Sequence, residues 1–381
     1  MAIELERQAV TQPAVRLIFA GNRSAVADAV RRRSWGVAGR ALVTHVARRA
    51  RQRLLAVAPV IRDAETVILL HPQTIGGRWC LDLIRRRCRP TWIYLLDSSF
   101  FCIRSYNHVP PENDACIRCL EGVWSAAGEQ GCHAYPAGHD CGMPFLEQLR
   151  SLAASGRVRF MAQNPRQAML AEHHFGARWP VPVVGMWTVD LAEVFAAQGS
   201  KRSTSRRPPP CDVVFHGGDH AAKGFFWTLE LARRLPTVRF MFPLAWRQRS
   251  SWGARPANCE FVPMTWESGL EEAVAAAPIT LVPSLWSAPV EGALVKSIMV
   301  GRAVAAPAVG SGYVSDLPDG LVWLLDRQPA RAADQLAGLL AARWRPAPAV
   351  LNAWQAAFQS ANAPLLATML GATSETKILQ S

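Results

Sequence analysis

Short apolar runs alternate with helix-like runs along most of this 381-residue chain, and that alternation narrows the open folds more than anything else in it. "VRLIFAG" (15–21), "ETVILLH" (65–71), "TWIYLLD" (91–97), "RVRFMAQ" (157–163) and "VPVVGM" (181–186) read as buried strands. "MPFLEQLRSLAASG" (143–156) and "PRQAMLAEHHFG" (165–176) read as helices, with Pro near the start and Gly at the end. Strands that alternate with helices predict parallel sheets covered on both faces. The segment "GSKRSTSRRPPP" (199–210) breaks the pattern and has the composition of a linker. Beyond it the alternation restarts. "CDVVFHGG" (211–218), "VRFMFPL" (238–244), "CEFVPM" (259–264) and "PITLVPS" (278–284) are expected strands, with helices over 223–236 and 266–277. The expectation is an α/β chain with two doubly wound domains in tandem and a cleft between them. The first domain spans 1–198 and the second 211–347. A helical tail over 348–381 could pack back on the first domain. Ligands in such sheets sit beyond the carboxyl ends of the strands.

Half of the residues are apolar, enough for each domain to bury a core. No apolar run reaches the length of about 18 residues that a membrane span needs. The N-terminus carries Glu4 and Glu6 and lacks an apolar signal-type segment, so a cytoplasmic location is expected. The net charge is +13. Residues 22–53 hold nine Arg against Asp28. Such a surface attracts phosphate groups or anionic membrane. Within it, 41–57 reads as an amphipathic helix with Leu42, Val43, Val46, Ala50, Leu54 and Val57 on one face. That face could lie on the inner surface of a membrane or simply pack on the sheet.

Nine cysteines in a cytoplasmic chain argue against a disulfide framework and for a check on metal binding. Five of them fall as C-x13-C-x2-C-x12-C-x8-C in a stretch that interrupts the α/β pattern, an insert over 98–141. Cys116 and Cys119 form a C-x2-C knuckle. Cys102 and Cys132 are the best further ligands for a structural zinc ion, with Cys141, His133 and His139 in reserve. Unpaired buried thiols or an iron–sulfur cluster are the other readings.

Two strand-end loops in the second half suit an anionic ligand. In "VVFHGGDHAAKGFF" (213–226), Gly217 and Gly218 let backbone approach a ligand, and Asp219 and His220 can add polar contacts. Lys223 stands where a helix begins. In "PSLWSAPVEGALVKSIMVGRAVA" (283–305), Gly292 enters a helix and Gly301 ends it. Two such loops can hold one nucleotide diphosphate sugar. In the first half, "LLHPQTIGG" (69–77) offers His71, Gly76 and Gly77 as groups on the acceptor side, and the turn at 18–24 is a further strand-end loop.

These loops resemble the donor domain of GT-B glycosyltransferases with two Rossmann-like domains, most closely the retaining family 4. That family shows a "Gly-Arg…Lys-Gly" turn, then "Pro-Ser-x-x-x-Glu-Pro-x-Gly-x-x-x-x-Glu-Ala". Lys223 and Gly224 match the first element; Pro283, Ser284, Pro289 and Gly301 match the second, with Gly292 nearby. The likeness spans roughly 210–330 and is looser before it. It implies that Lys223 contacts the donor pyrophosphate. It also implies a glutamate for the ribose hydroxyls, yet the two glutamate positions hold Ala288 and Lys296, and Gly218 replaces the Arg. Lys296 cannot accept from a hydroxyl but could meet a phosphate. Glu291, three residues from Ala288, is the carboxylate that could take the place of the first glutamate through a shifted loop. The family's "His-Asp-x-x-x-x-Cys" resembles "LLDSSFFC" (95–102), which implies that Asp97 orients the acceptor; a capping role for Asp97 is the alternative.

The resemblance implies sugar transfer from a nucleotide diphosphate sugar to a glycan or lipid-linked acceptor, with retention. Lys223, Glu291 and Asp97 would carry the chemistry. The missing acidic positions leave a non-catalytic scaffold open, and a sugar-nucleotide epimerase is the third reading. Nucleic-acid binding is not expected: the Cys spacing is wrong for a finger, and few aromatics accompany the Arg-rich stretch.

Overall fold

The computed structural model describes residues 1–12, 15, 36, 39–40, 42–43, 46–47, 61, 63–70, 72, 76–109, 113–133, 143–176, 179–197, 211–247 and 252–378. Nearly all of the strand expected at 15–21 lies outside these residues. So do the turn at 18–24, most of 41–57, the linker 199–210, and His71, His139 and Cys141. The chain divides into two compact units, neither continuous in sequence. One comprises Ala2–Ser105, Gly122–Gly185 and Leu365–Ser381; the other takes Tyr106–Glu121 and Met186–Pro364.

Among the described residues the first unit carries three parallel strands in the order β1-β2-β3. It begins with helix α1 (Ala2–Ala9), followed by β1 (Ile68–Leu70), α2 (Gly77–Arg86), β2 (Thr91–Tyr94), α3 (Met143–Ala154), β3 (Val158–Met161) and α4 (Pro165–Phe175). Every residue of β2 and β3 is buried, as expected of parallel strands covered on both faces. Helix α4 shows how the sequence sets its own boundaries. The Asn164 side chain accepts from the Gln167 N–H, Pro165 opens the first turn, and Gly176 leaves it at φ 84°. The final helix, Leu365–Ile378, also belongs to this unit, where Leu366 N donates to the Gln8 side chain of α1 over 2.9 Å. The stretch 181–186, expected as a strand, makes only a parallel bridge from Val183 to Ala162. Pro180 precedes it and Pro182 lies within it, and a proline cannot donate to a ladder.

The second unit carries six parallel strands in the order β6-β5-β4-β7-β8-β9. After helix α5 (Val189–Ala196) come β4 (Val213–Phe215), α6 (Phe225–Arg234), β5 (Phe240–Phe242), β6 (Cys259–Phe261), α7 (Leu270–Ala276), β7 (Ile279–Leu281), α8 (Gly292–Val300), β8 (Val304–Pro307), β9 (Trp323–Leu325), α9 (Pro329–Ala342) and α10 (Pro348–Asn362). The core is aromatic: Phe215, Phe225, Phe240 and Phe242 are fully buried among Val213, Leu281 and Leu336. Each such ring contributes about 1.5–3 kcal/mol by leaving water. From β4 the chain runs outward through β5 and β6, then crosses back to place β7 on the other side of β4. The carboxyl ends of β4 and β7 therefore flank the topological switch point, where open α/β sheets bind ligands.

Candidate active site

The two loops predicted to grip an anion leave β4 and β7 side by side. Leaving β4, the chain passes His216 to His220, makes a 3-10 turn over Ala221–Lys223, and enters α6 through Gly224 at φ 68°. Gly224 is required twice over. The left-handed backbone suits glycine, and a Cβ there would lie 2.0 Å from the Pro283 carbonyl oxygen. Leu285 N donates to Ala222 O over 2.8 Å, so the loops are laced together by backbone. A Cβ on Gly217 would meet the Phe215 ring at 2.8 Å, whereas one on Gly218 would meet nothing.

This close approach brings Lys223 to Glu291. The Lys223 Nζ lies 2.9 Å from Glu291 Oε2, and Ser284 Oγ donates to the same oxygen over 2.7 Å. Glu291 directly precedes α8, whose first turn presents N–H groups without intrahelical partners. Burial alone would push the Glu291 carboxyl up; the Lys223 charge and the hydrogen bonds from Lys223 and Ser284 outweigh it and hold the carboxyl below its ordinary value. Ser284, Trp286, Ala288, Glu291, Pro307 and Tyr313 line a cavity at this end of the sheet. In its wall the buried Trp286 Nε1–H has no hydrogen-bond partner among the described residues.

The second loop lysine behaves differently. Lys296 Nζ lies 3.1 Å from Asp190 of α5 and 4.5 Å from the centre of the Trp266 ring. Trp266 stacks on His216, ring centres 5.4 Å apart, and His216 Nδ1 shares a 2.8 Å hydrogen bond with Ser297 Oγ. Burial, with the Lys296 charge second, pushes the His216 imidazole down to about 3, so it is neutral at ordinary pH.

Of the remaining donor-loop residues, Asp219 forms an ion pair with Arg247 at 3.4 Å. His220 caps the 3-10 turn by accepting from Ala222 N. Gly292 begins α8 with room around it, since the nearest atom to an added Cβ is Met186 Cε at 3.8 Å. In the other unit, Asp97 caps the Ser98–Phe100 turn by accepting from Ser99 N over 2.9 Å. Gly76 and Gly77 open α2 there.

The segment Tyr106–Glu121 contributes residues that no local pattern marked. The Tyr106 ring meets Trp286 edge-on at 4.7 Å, and Lys223 Nζ lies 5.4 Å from one ring centre and 5.0 Å from the other. Asn107 Nδ2 donates to Ser287 Oγ, and Ser287 N donates back to Asn107 Oδ1, over 2.8 and 3.0 Å. Ser287 Oγ also shares a 2.6 Å hydrogen bond with Ser311 Oγ. Asp114 pairs with Arg327, and Ala115 lies in the aromatic core.

The zinc expectation needs correction. Cys116 and Cys119 fall in this unit and Cys102 and Cys132 in the other. None is disulfide-bonded, and among the described residues no three His, Cys, Asp or Glu side chains gather in a way that could hold a metal. The knuckle backbone is instead taken up by Asn107, whose carbonyl accepts from Cys116 N and whose side chain donates to Cys116 O. The four cysteines do not fit a zinc ion in this structure.

No family model matches the sequence, and none of the curated proteins compared with it matches. Solved structures do match. Sucrose-phosphate synthase from Thermosynechococcus elongatus is similar at 14% identity and TM-score 0.54, over 84% of this chain and 75% of that one. A UDP-forming α,α-trehalose-phosphate synthase from Burkholderia vietnamiensis is similar at 13% and 0.54, over 89% and 78%. One from Burkholderia xenovorans is similar at 12% and 0.51, over 86% and 78%. These neighbours are GT-B glycosyltransferases, and the likeness establishes their fold type for this chain.

Proposed function

We propose that this protein is a glycosyltransferase that moves a sugar from a nucleotide diphosphate sugar to a glycan or lipid-linked acceptor, with retention. The observation that carries the reading is the Lys223–Glu291–Ser284 cluster at the carboxyl ends of β4 and β7. In this reading Lys223 and the first-turn N–H groups of α8 stabilise the departing diphosphate. Glu291 accepts from donor hydroxyls, the role implied for the glutamates replaced by Ala288 and Lys296. Lys296, engaged by Asp190, holds α8 in place and reaches a phosphate only by leaving that partner. Asp97 and the Gly76–Gly77 turn are the acceptor-side groups. A peripheral contact with anionic membrane through the Arg-rich stretch 22–53 suits a lipid-linked acceptor.

One observation favours the scaffold alternative: both candidate phosphate lysines already have carboxylate partners. Calorimetric titration separates the two. UDP and UDP-sugars come first, because two similar structures are UDP-forming synthases, then GDP and GDP-mannose. Binding by the wild type that falls at least tenfold in Lys223→Ala supports the transferase. Absence of binding to every nucleotide by folded protein would move the assignment to a scaffold.

A further inference from the structure

A carboxylate at a diphosphate site is an unexpected neighbour, and its geometry suggests what it selects. This inference rests on the nucleotide-sugar reading above. Glu291 Oε2 lies 2.9 Å from the Lys223 ammonium that would meet the phosphate, so any anion on Lys223 also lies close to the carboxylate. The two candidate ligands differ in charge where this matters. In a nucleotide sugar the β-phosphate is bonded to the sugar through an ester and to the α-phosphate through an anhydride, and carries a single negative charge. In the free nucleoside diphosphate left after transfer it is a terminal phosphate, with a charge of about −1.5 to −2 at neutral pH. Like charges a few ångströms apart in a half-buried site repel appreciably. Both ligands carry ribose hydroxyls, but only the nucleotide sugar also brings the hydroxyls of the transferred sugar, from which a carboxylate beside the β-phosphate can accept.

We propose that Glu291 is a specificity-determining residue that discriminates against the free nucleoside diphosphate product and in favour of the intact nucleotide sugar. It rejects the extra charge of the terminal phosphate and accepts from the sugar hydroxyls. The surroundings keep the effect attributable to one group. Among the described residues the charged or titratable side chains that act on Glu291 are Lys223 and His216, and His216 is neutral well below pH 6. Ser284 contributes an uncharged donor.

The test compares binding of UDP and UDP-glucose, and of GDP and GDP-mannose, to wild type, Glu291→Gln and Glu291→Asp, with thermal melts as a check on folding. Glu291→Gln should tighten the free diphosphate at least tenfold relative to its nucleotide sugar. Glu291→Asp, which keeps the charge, should retain the wild-type preference. In the wild type that preference should shrink as pH falls from 8 to 5, because the terminal phosphate gains a proton near pH 6; in Glu291→Gln it should stay flat. Equal changes in both ligands on Glu291→Gln, or an unaltered pH profile, would overturn the inference while leaving the donor site standing. Absence of binding to all four ligands in all three proteins would overturn the donor-site reading and this inference with it.

Discussion

Lys223 and Lys296 flank the same pair of strands, yet they are held in opposite ways. Lys223 meets a buried carboxylate that a second donor, Ser284, also holds, beside a cavity. Lys296 meets Asp190, whose side chain is 37% exposed, and lies over the face of Trp266. An ion pair whose anion is buried depends on its cation, because removing one partner strands a charge away from water. An ion pair whose anion can turn to solvent loses little. The comparison teaches where charge is committed to a site and where it fastens two helices.

The largest expected effect breaks that comparison at its buried end. Lys223→Met should cost about 3–5 kcal/mol of stability in urea unfolding, and Lys223→Met/Glu291→Leu should recover a large part of it. Lys296→Met should cost about 1 kcal/mol. Equal losses for the two lysines would mean that the contrast in burial carries no energetic weight. The next effect concerns the crossing that brings Lys223 to Glu291. Gly224→Ala must place a Cβ against the Pro283 carbonyl and hold a positive φ. It should cost about 2–3 kcal/mol and lower the affinity for UDP. Gly218→Ala, with open space at its Cβ, should stay within about 0.5 kcal/mol. A harmless Gly224→Ala would show that the two loops do not depend on this contact.

A third effect, small at mildly acidic pH and growing only as the solution becomes more acid, sharpens the Lys296 side. The His216 pKa is lowered from 6.5 to about 3 in the folded protein. The unfolded chain therefore binds a proton below pH about 6.5 that the folded one refuses. The stability this contributes is present above pH 6.5 and is lost as pH falls from there toward 3, by at most about 1.4 kcal/mol per pH unit. His216→Asn should flatten the pH dependence of the melting temperature over that window. An unchanged slope would show that His216 is not the group responsible.

Much of the α/β frame is legible in the residues. Apolar runs ending in turn residues locate β4 to β7; β4, β5 and β7 are buried throughout, and a parallel strand covered on both faces must be largely apolar. Asn164, Pro165 and Gly176 bound α4 by local chemistry alone. The 181–186 run misleads because its apolar side chains suit a strand while its prolines cannot complete the ladder. The cysteine spacing misleads for a different reason: C-x2-C signals a metal only when the rest of the ligand set converges, and convergence is a property of the fold.

The same division runs through the site. Lys223, Ser284 and Glu291 can be singled out from the sequence because strand-end loops with glycine and a charge are local patterns. Their shared oxygen cannot, since it joins positions 68 and 7 residues apart across two loops. The Asp190 partner of Lys296 lies 106 residues away, and Asn107 reaches Ser287 across 180. The sequence by itself determined most of the strands, the loops that end them and the side chains those loops offer. Only the tertiary structure decided that β7 lies against β4 and that a glycine lets their loops touch. That packing turns two separate charges into one ion pair and gives the second lysine to a helix contact.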